Sequence, residues 1–123
     1  MRRRMWTVIA LLAFGYALLP AGAFAGYGAI AWDGVSGQRG WSWNQPNAQK
    51  ATEVALSECG ASGCKVVIHT VARQCAALAT TQDGKAAGGA ARKTKDAARL
   101  AALADCQKRK AGDCVMRVSD CNK

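Results

Sequence analysis

The sequence predicts an α+β fold made of two similar halves, and three observations support this prediction. Each half contains an alanine-rich segment with helical spacing that ends in a Leu-x-x-Cys motif. Short runs of small and β-branched residues flank each segment, and the six cysteines follow the same order in both halves. We therefore expect two strand-strand-helix-strand repeats that form one antiparallel-type sheet, with two helices on one face and three disulfides as staples.

The repeat becomes visible when residues 51–75 are aligned with residues 96–121. Both segments contain a helix-like run, a glycine-bearing loop and a β-branched run in the same order, which indicates an ancient duplication. The matched positions are Leu56 with Leu103, Cys59 with Cys106, Cys64 with Cys114, and Cys75 with Cys121.

The first 25 residues have the pattern of a signal peptide. Arginines at positions 2–4 precede fourteen mostly apolar residues, 6–19, and Ala23-Phe24-Ala25 offers small side chains to a signal peptidase. The apolar run is shorter than the roughly 20 residues that span a bilayer, so we expect no stable transmembrane anchor. Cleavage before Gly26 would leave residues 26–123 as a single disulfide-rich domain, periplasmic or secreted, with repeats at about 27–75 and 76–121.

The first half is predicted to begin with a hairpin. Two strand-like runs in residues 27–44 surround Gly34-Val35-Ser36-Gly37, a typical turn sequence. Asn44 is the expected N-cap of the following helix, and Gly60 is expected to end it. In the strand that follows, alternation places Val66, Ile68 and Thr70 on one face and Val67, His69 and Val71 on the other.

The second half is predicted to repeat this arrangement. Residues 75–90 form a second hairpin with Asp83-Gly84 in its turn, and Thr94 is the expected N-cap of the second helix. The inward stripe of both helices is mostly alanine. Because alanine buries little apolar area, a domain of this size depends on its disulfides for stability.

The cysteines are predicted to form structural disulfides. A metal site is poorly supported because the chain has one histidine, and no Cys-x-x-Cys redox motif occurs. We expect no cofactor. The order of the cysteines favours two equivalent short bridges and one bridge that joins the halves. The expected pairs are Cys59 with Cys64, Cys106 with Cys114, and Cys75 with Cys121.

The chain resembles a family of bacterial exported proteins known as the domain of unknown function 4189 (DUF4189). The resemblance covers about residues 27–121. The segments that carry it are Gly28-Ala29-Ile30-Ala31, residues 55–60, 64–67 and 75–79, and the final Leu103, Cys106, Cys114 and Cys121. It implies no activity, so no catalytic or ligand residue follows from it.

The net charge is +9, and it falls to +6 once a signal peptide with three arginines and no acids is removed. Basic residues cluster at Arg92-Lys93-x-Lys95 and at Lys108-Arg109-Lys110. The second cluster suits a helix C-terminus, whereas the first precedes a helix, where positive charge is disfavoured. Outside the cytoplasm we expect an anionic partner, such as an envelope protein, wall polymer or lipid, and no nucleic acid. A basic surface that serves only solubility is the alternative.

No recognised catalytic motif occurs in the sequence. His69 is more typical of a packed or surface strand residue than of a catalytic base. Asp33 and Glu53 are the acids nearest the first hairpin, but their spacing does not indicate the carboxylate pair of a glycosidase. We therefore expect no enzymatic activity.

Trp32, Trp41 and Trp43 form the candidate binding face. Trp41 and Trp43 alternate onto one side of a strand, and such rings either supply core volume or anchor a partner. The second hairpin has Ala86-Ala87-Gly88-Gly89 where the first has tryptophans, and this asymmetry favours binding. The sequence thus predicts a non-catalytic exported binding module, of the inhibitor or immunity type, in the bacterial envelope. The alternative is a wall-polysaccharide-binding protein or a small wall hydrolase.

Overall fold

The computed structural model describes residues 26–109 and 113–123, which contain six strands and two helices. The predicted signal peptide, residues 1–25, and Lys110 lie outside the described residues. In chain order the elements are β1 (Tyr27–Trp32), β2 (Arg39–Gln45), α1 (Ala48–Cys59), β3 (Lys65–Thr70), β4 (Cys75–Thr81), β5 (Ala87–Arg92), α2 (Lys95–Arg109) and β6 (Cys114–Cys121).

The described strands form two antiparallel three-stranded sheets, so the prediction of a single sheet is wrong. Sheet 1 has the order β2-β1-β3 and sheet 2 has the order β5-β4-β6. The central strands β1 and β4 find both of their partners within their own half. Each half therefore completes its own sheet. The apolar faces of each sheet must then be covered by other layers of the fold.

The two sheets cover each other, and the helices lie on the outer faces. Ile30 and Ile68 of sheet 1 share an apolar cluster with Leu78 and Val118 of sheet 2. α1 packs on sheet 1 and α2 packs on sheet 2, each through its own cluster. The prediction of two helices on one face is therefore also wrong, because the chain forms four layers with one helix on each side.

A glycine in β2 and another in β5 allow each helix to lie close to its sheet. A Cβ atom on Gly40 would meet the backbone of Ala55 and Cys59, and a Cβ atom on Gly88 would meet the backbone of Ala102 and Cys106. The helix residues at the contact are alanines, as the sequence predicts, together with Cys59 and Cys106. Because the residues of the strand and of the helix are both small, the two backbones lie close together, with little side-chain packing between them.

The helix boundaries agree with the sequence at two of the three predicted positions. Gly60 ends α1 in the left-handed conformation with φ of 75°, and the Thr94 hydroxyl accepts from an N–H in the first turn of α2 at 3.2 Å. The N-cap of α1 is Asn47, whose Oδ1 accepts from the Lys50 N–H at 2.7 Å. The prediction of Asn44 is wrong because a bulge, with φ of 56° at Asn44, lets β2 continue past it.

β3 and β6 each contain a bulge at the corresponding place. Val67 is the extra residue in β3, between the partners of Ala31 and Ile30, and Arg117 is the extra residue in β6. The bulge reverses the alternation of side chains. Val66 consequently packs toward α1 while Ile68 packs between the sheets, so the prediction that they share a face is wrong.

The structure contains the three disulfides expected from the order of the cysteines. Two of them join the end of a helix to the next strand, with Cα–Cα distances of 6.3 Å for Cys59–Cys64 and 6.2 Å for Cys106–Cys114. Cys75 and Cys121 are directly opposed on β4 and β6. This third bridge therefore lies within sheet 2. The prediction that it joins the two halves is wrong, because Cys75 begins β4.

Asn122 makes polar contacts that do join the halves. Its side chain is 4% exposed, and its Nδ2 donates to the Thr70 hydroxyl at 2.5 Å and to the Val71 carbonyl at 3.0 Å. Its Oδ1 accepts from the backbone N–H of Asn44 at 2.9 Å. Since a buried amide is costly to leave unpaired, this network fixes the C-terminus against sheet 1.

Candidate functional site

The three tryptophans of the predicted binding face all lie on the side of sheet 1 that faces sheet 2. Trp32 is paired with Arg39, and Trp41 is paired with Ile30, whose side chain is in the core between the sheets. Paired residues share a face, and Trp43 shares it by alternation. The environments of the three rings nevertheless differ, so they do not form one exposed surface.

Trp32 is half-buried and fixed by a contact with the other half. Its indole N–H donates to the carbonyl oxygen of Gly84, in the turn of the second hairpin, at 2.8 Å. The ring also packs against the cluster between the sheets. Trp32 therefore acts mainly as a structural residue, with one part of its ring left to line a pocket.

Trp43 is half-buried and packs against the same apolar cluster between the sheets. Its large ring adds apolar area to a core whose other members are small, such as Ala76. For Trp43 the core interpretation of the aromatic hairpin therefore fits better than a role as an exposed anchor.

Trp41 differs from both, because 44% of its surface is exposed. It lies on β2, which is an edge strand of sheet 1. The position that corresponds to Trp41 in the second half is Gly89, since Trp41 pairs with Ile30 and Gly89 pairs with Leu78. A Cβ atom on Gly89 would collide with the side chain of Ile68. The fold thus requires a small residue at one of the two equivalent positions and carries an exposed indole at the other.

Arg39 lies two residues before Trp41 and faces the same side. Its Nε atom is buried and has no hydrogen-bond partner within residues 26–109 and 113–123. Buried donors in native proteins almost always have a partner, so an unpaired one calls for an explanation. An exposed indole and an unpaired guanidinium nitrogen therefore occur side by side on β2.

A pocket of about 240 Å³ lies at the opposite edge of sheet 1. Trp32 and Val67 form one wall, and Ala87-Gly88-Gly89 of β5 forms another. Leu78, Asp105 and Arg109 complete the lining. This pocket could not be predicted from the sequence, because it depends on how β3 of one sheet meets β5 of the other. The small residues of β5 were its only signal in the sequence.

Comparison with known proteins assigns the chain to a family. The family model described as a domain of unknown function, DUF4189, matches residues 27–121. The chain belongs to the DUF4189 family. The resemblance found in the sequence is thereby confirmed. No curated protein and no solved structure matches the chain.

The acids of this DUF4189 domain are held in separate contacts. Asp33 is buried in the turn of the first hairpin, where its carboxylate accepts from the Ser36 hydroxyl at 2.7 Å and the Val35 N–H at 3.0 Å. These hydrogen bonds hold the pKa of Asp33 below its usual value. Glu53 is exposed on α1, 3.9 Å from the ammonium group of Lys50. The two acids therefore have different surroundings, and the hydrogen bonds of Asp33 stabilise the turn of the first hairpin.

The remaining candidates of the sequence analysis lie on the surface of the DUF4189 domain. His69 is exposed on β3, and Lys95 lies 3.9 Å from Asp120 at the start of α2. Across the described ranges, no three His, Cys, Asp or Glu side chains are grouped as metal ligands would be. Neither of the described helices is long and apolar enough to cross a membrane.

Proposed function

We propose that this DUF4189 protein is a small exported binding domain without catalytic activity, of the inhibitor or immunity type, which acts in the bacterial cell envelope. Its partner is a protein, and Trp41 is the central contact residue. Export is supported by the signal-peptide pattern of residues 1–25 and by the three disulfides, which are typical of oxidising compartments.

The exposed indole of Trp41 is the observation that carries this proposal. The equivalent position in sheet 2 is Gly89, so the symmetric architecture of the domain does not require a tryptophan there. Trp and Arg are the residues most enriched among energetically dominant interface positions. Arg39 and Trp41 supply both types on one face of an edge strand.

The framework around Trp41 favours tight binding. β2 is anchored by α1 on one side and by β1 on the other, and α1 is held to the following strand by Cys59–Cys64. A rigid surface loses little conformational entropy on association, which leaves more of the interaction energy as affinity.

The charge of the domain indicates the kind of partner surface. With the signal peptide removed, the net charge is +6. Association with an acidic surface would be accelerated by this charge, and the rate would fall as salt is added. We therefore propose an acidic envelope protein as the partner.

Site-specific photo-crosslinking tests the proposal. A photoreactive phenylalanine analogue is placed at position 41 and, as a control, at position 100, where Leu100 is 70% exposed on α2. We expect a defined envelope protein to crosslink from position 41 and not from position 100. With that protein purified, Trp41→Ala should weaken binding by about 2 kcal/mol, or about 30-fold, without changing the melting temperature by more than a few degrees.

The alternative functions are tested with the same variants. Co-sedimentation with isolated wall material that depends on Trp41 would replace the protein partner with a wall polysaccharide. Release of soluble wall fragments by the purified protein would overturn the non-catalytic proposal. Equal crosslinking from positions 41 and 100 would show that Trp41 has no special role.

A further inference from the structure

The pocket between β3, β5 and the last turn of α2 is separate from the Trp41 surface. β5 meets sheet 1 at β3, whereas Trp41 lies on β2 at the other edge of that sheet. A cavity of about 150 Å³ lined by apolar side chains is large enough to bind benzene. The pocket, at about 240 Å³, therefore has room for one ring and a short polar extension.

The pocket is open because the two halves differ at equivalent positions. β5 contributes Ala87-Gly88-Gly89, whereas the matching stretch of β2 is Arg39-Gly40-Trp41. Val67, the bulge residue of β3, is 43% exposed at the pocket. Its counterpart Arg117 instead reaches back to its own sheet and donates to the Thr80 hydroxyl at 2.9 Å. Small residues on β5 and a short side chain at position 67 thus leave one face of the Trp32 ring accessible.

The polar rim of the pocket consists of the Asp105 carboxylate and the Arg109 guanidinium group. The Asp105 carboxylate accepts from the Gly89 N–H at 3.1 Å and lies 3.4 Å from Nε of Arg109. These two donors offset the charge of Asp105. The contact joins Nε of Arg109 to Asp105, and the Arg109 side chain is 65% exposed. A guanidinium held in this way presents a fork that matches a carboxylate.

The surroundings of the rim are also positive. An adjoining hollow shares Gly89 and Asp105 with the pocket and adds Arg92 and Lys108. Arg109 is the cation that lines the pocket itself, whereas Arg92 and Lys108 line the neighbouring hollow. From the apolar walls and this positive rim we infer that the pocket binds a small apolar carboxylate, with a ring or branched group against Trp32 and the carboxylate on Arg109. The free acid and the C-terminal residue of a polypeptide share this chemistry.

Nuclear magnetic resonance titration of the ¹⁵N-labelled protein, with its disulfides formed, tests this inference. The probe is 3-phenylpropionate, and the matched compounds are 3-phenylpropionamide, which lacks the charge, and propionate, which lacks the ring. We expect saturable shifts of the Trp32 indole N–H and of the Gly88 and Gly89 amides. Both matched compounds should bind at least tenfold more weakly than the probe.

Three variants locate the site. Arg109→Gln should weaken binding of the probe at least tenfold and abolish its preference over the amide. Lys108→Gln removes the same charge from the neighbouring residue, which does not line the pocket, and should change affinity less than threefold. Val67→Phe places a ring at the accessible mouth and should block binding while the spectrum keeps the dispersion of a folded protein.

A peptide that ends in phenylalanine distinguishes the two sources of the ligand. Tighter binding of the peptide with a free carboxyl terminus than of the probe identifies a polypeptide end, and binding of the probe alone identifies a free acid. The inference is overturned if the three probe resonances do not shift saturably, or if Arg109→Gln and Lys108→Gln have equal effects. Neither result bears on crosslinking from position 41, so the two proposals fail independently.

Discussion

The indole nitrogen of Trp32 lies 2.8 Å from the carbonyl oxygen of Gly84, although 52 residues separate them in the chain. The hydrogen bond joins the turn end of the first hairpin to the turn of the second. The two turns also touch each other, since a Cβ atom on Gly84 would lie 2.8 Å from the Cα of Gly37. Both glycines have a positive φ, 76° at Gly37 and 74° at Gly84. The hairpin tips are therefore one packed unit that holds the two sheets in register.

We predict that Trp32→Phe destabilises the protein by about 1–3 kcal/mol, because a partly buried carbonyl loses its donor and the core loses volume. Urea unfolding followed by circular dichroism measures the change. Trp43→Phe makes the same change in ring size in the same core and serves as the control. A loss no larger than that of Trp43→Phe would show that the bond to Gly84 contributes nothing.

We predict that Trp41 accounts for most of the fluorescence that acrylamide can quench in the native protein. Trp41 is 44% exposed, whereas Trp32 and Trp43 pack against the core. Trp41→Phe should therefore lower the quenching constant and shift the emission to the blue. A larger decrease in Trp43→Phe would contradict this assignment of exposure.

We predict that Gly40→Ala and Gly88→Ala each destabilise the protein by about 3 kcal/mol or more. The added methyl group meets the backbone of the helix, which cannot move aside as the end of a flexible side chain can. Thermal unfolding of both variants checks this. A melting temperature close to that of the parent in either variant would show that the helix does not lie as close as the structure places it.

We predict that Asp33 stabilises the fold at neutral pH and that this contribution is lost in acid. The pKa of Asp33 is lowered in the folded state, first by the Ser36 hydroxyl and then by the Val35 N–H. The stabilisation is therefore complete above the unfolded pKa of about 3.9 and disappears as the pH falls through the lower folded value. The difference in unfolding free energy between the parent and Asp33→Asn should shrink below about pH 4. Glu53→Gln, which removes an exposed carboxylate, corrects for the change in net charge, and a difference that stays constant with pH would refute the prediction.

We predict that the three disulfides contribute unequally to stability. Cys75–Cys121 closes a separation of 46 residues, and Cys59–Cys64 closes one of five. In the chain-entropy model these loops correspond to about 4 and about 2 kcal/mol. Replacing Cys75 and Cys121 together with alanine should lower the denaturation midpoint more than the same change at Cys59 and Cys64. If the change at Cys59 and Cys64 lowers the midpoint more, the short bridge acts chiefly by stabilising the C-terminal end of α1 in the folded protein.

The local elements followed from the sequence because their determinants are local. Gly60 and Thr94 were predicted as helix ends from positions next to the periodic segments, and the structure places them there. The pairing of Cys59 with Cys64 was also predicted, because four residues between a helix end and a strand start bring the two within bridging distance and the second half repeats this order. Asn44 was predicted wrongly because its effect depends on a bulge that extends β2, which is a property of the pairing with β1.

The sequence by itself determined the α+β class, the cysteine pairs and the family, since each depends on order and spacing along the chain. Only the tertiary structure decided that the halves form two stacked sheets, that Cys75–Cys121 lies within sheet 2, and that Trp32, Trp41 and Trp43 have different exposures. The reason is physical. Alternation shows that a strand has two faces, but it does not show which layer covers each face. That choice is made by contacts between residues far apart in the chain, such as Ile68 over Gly89.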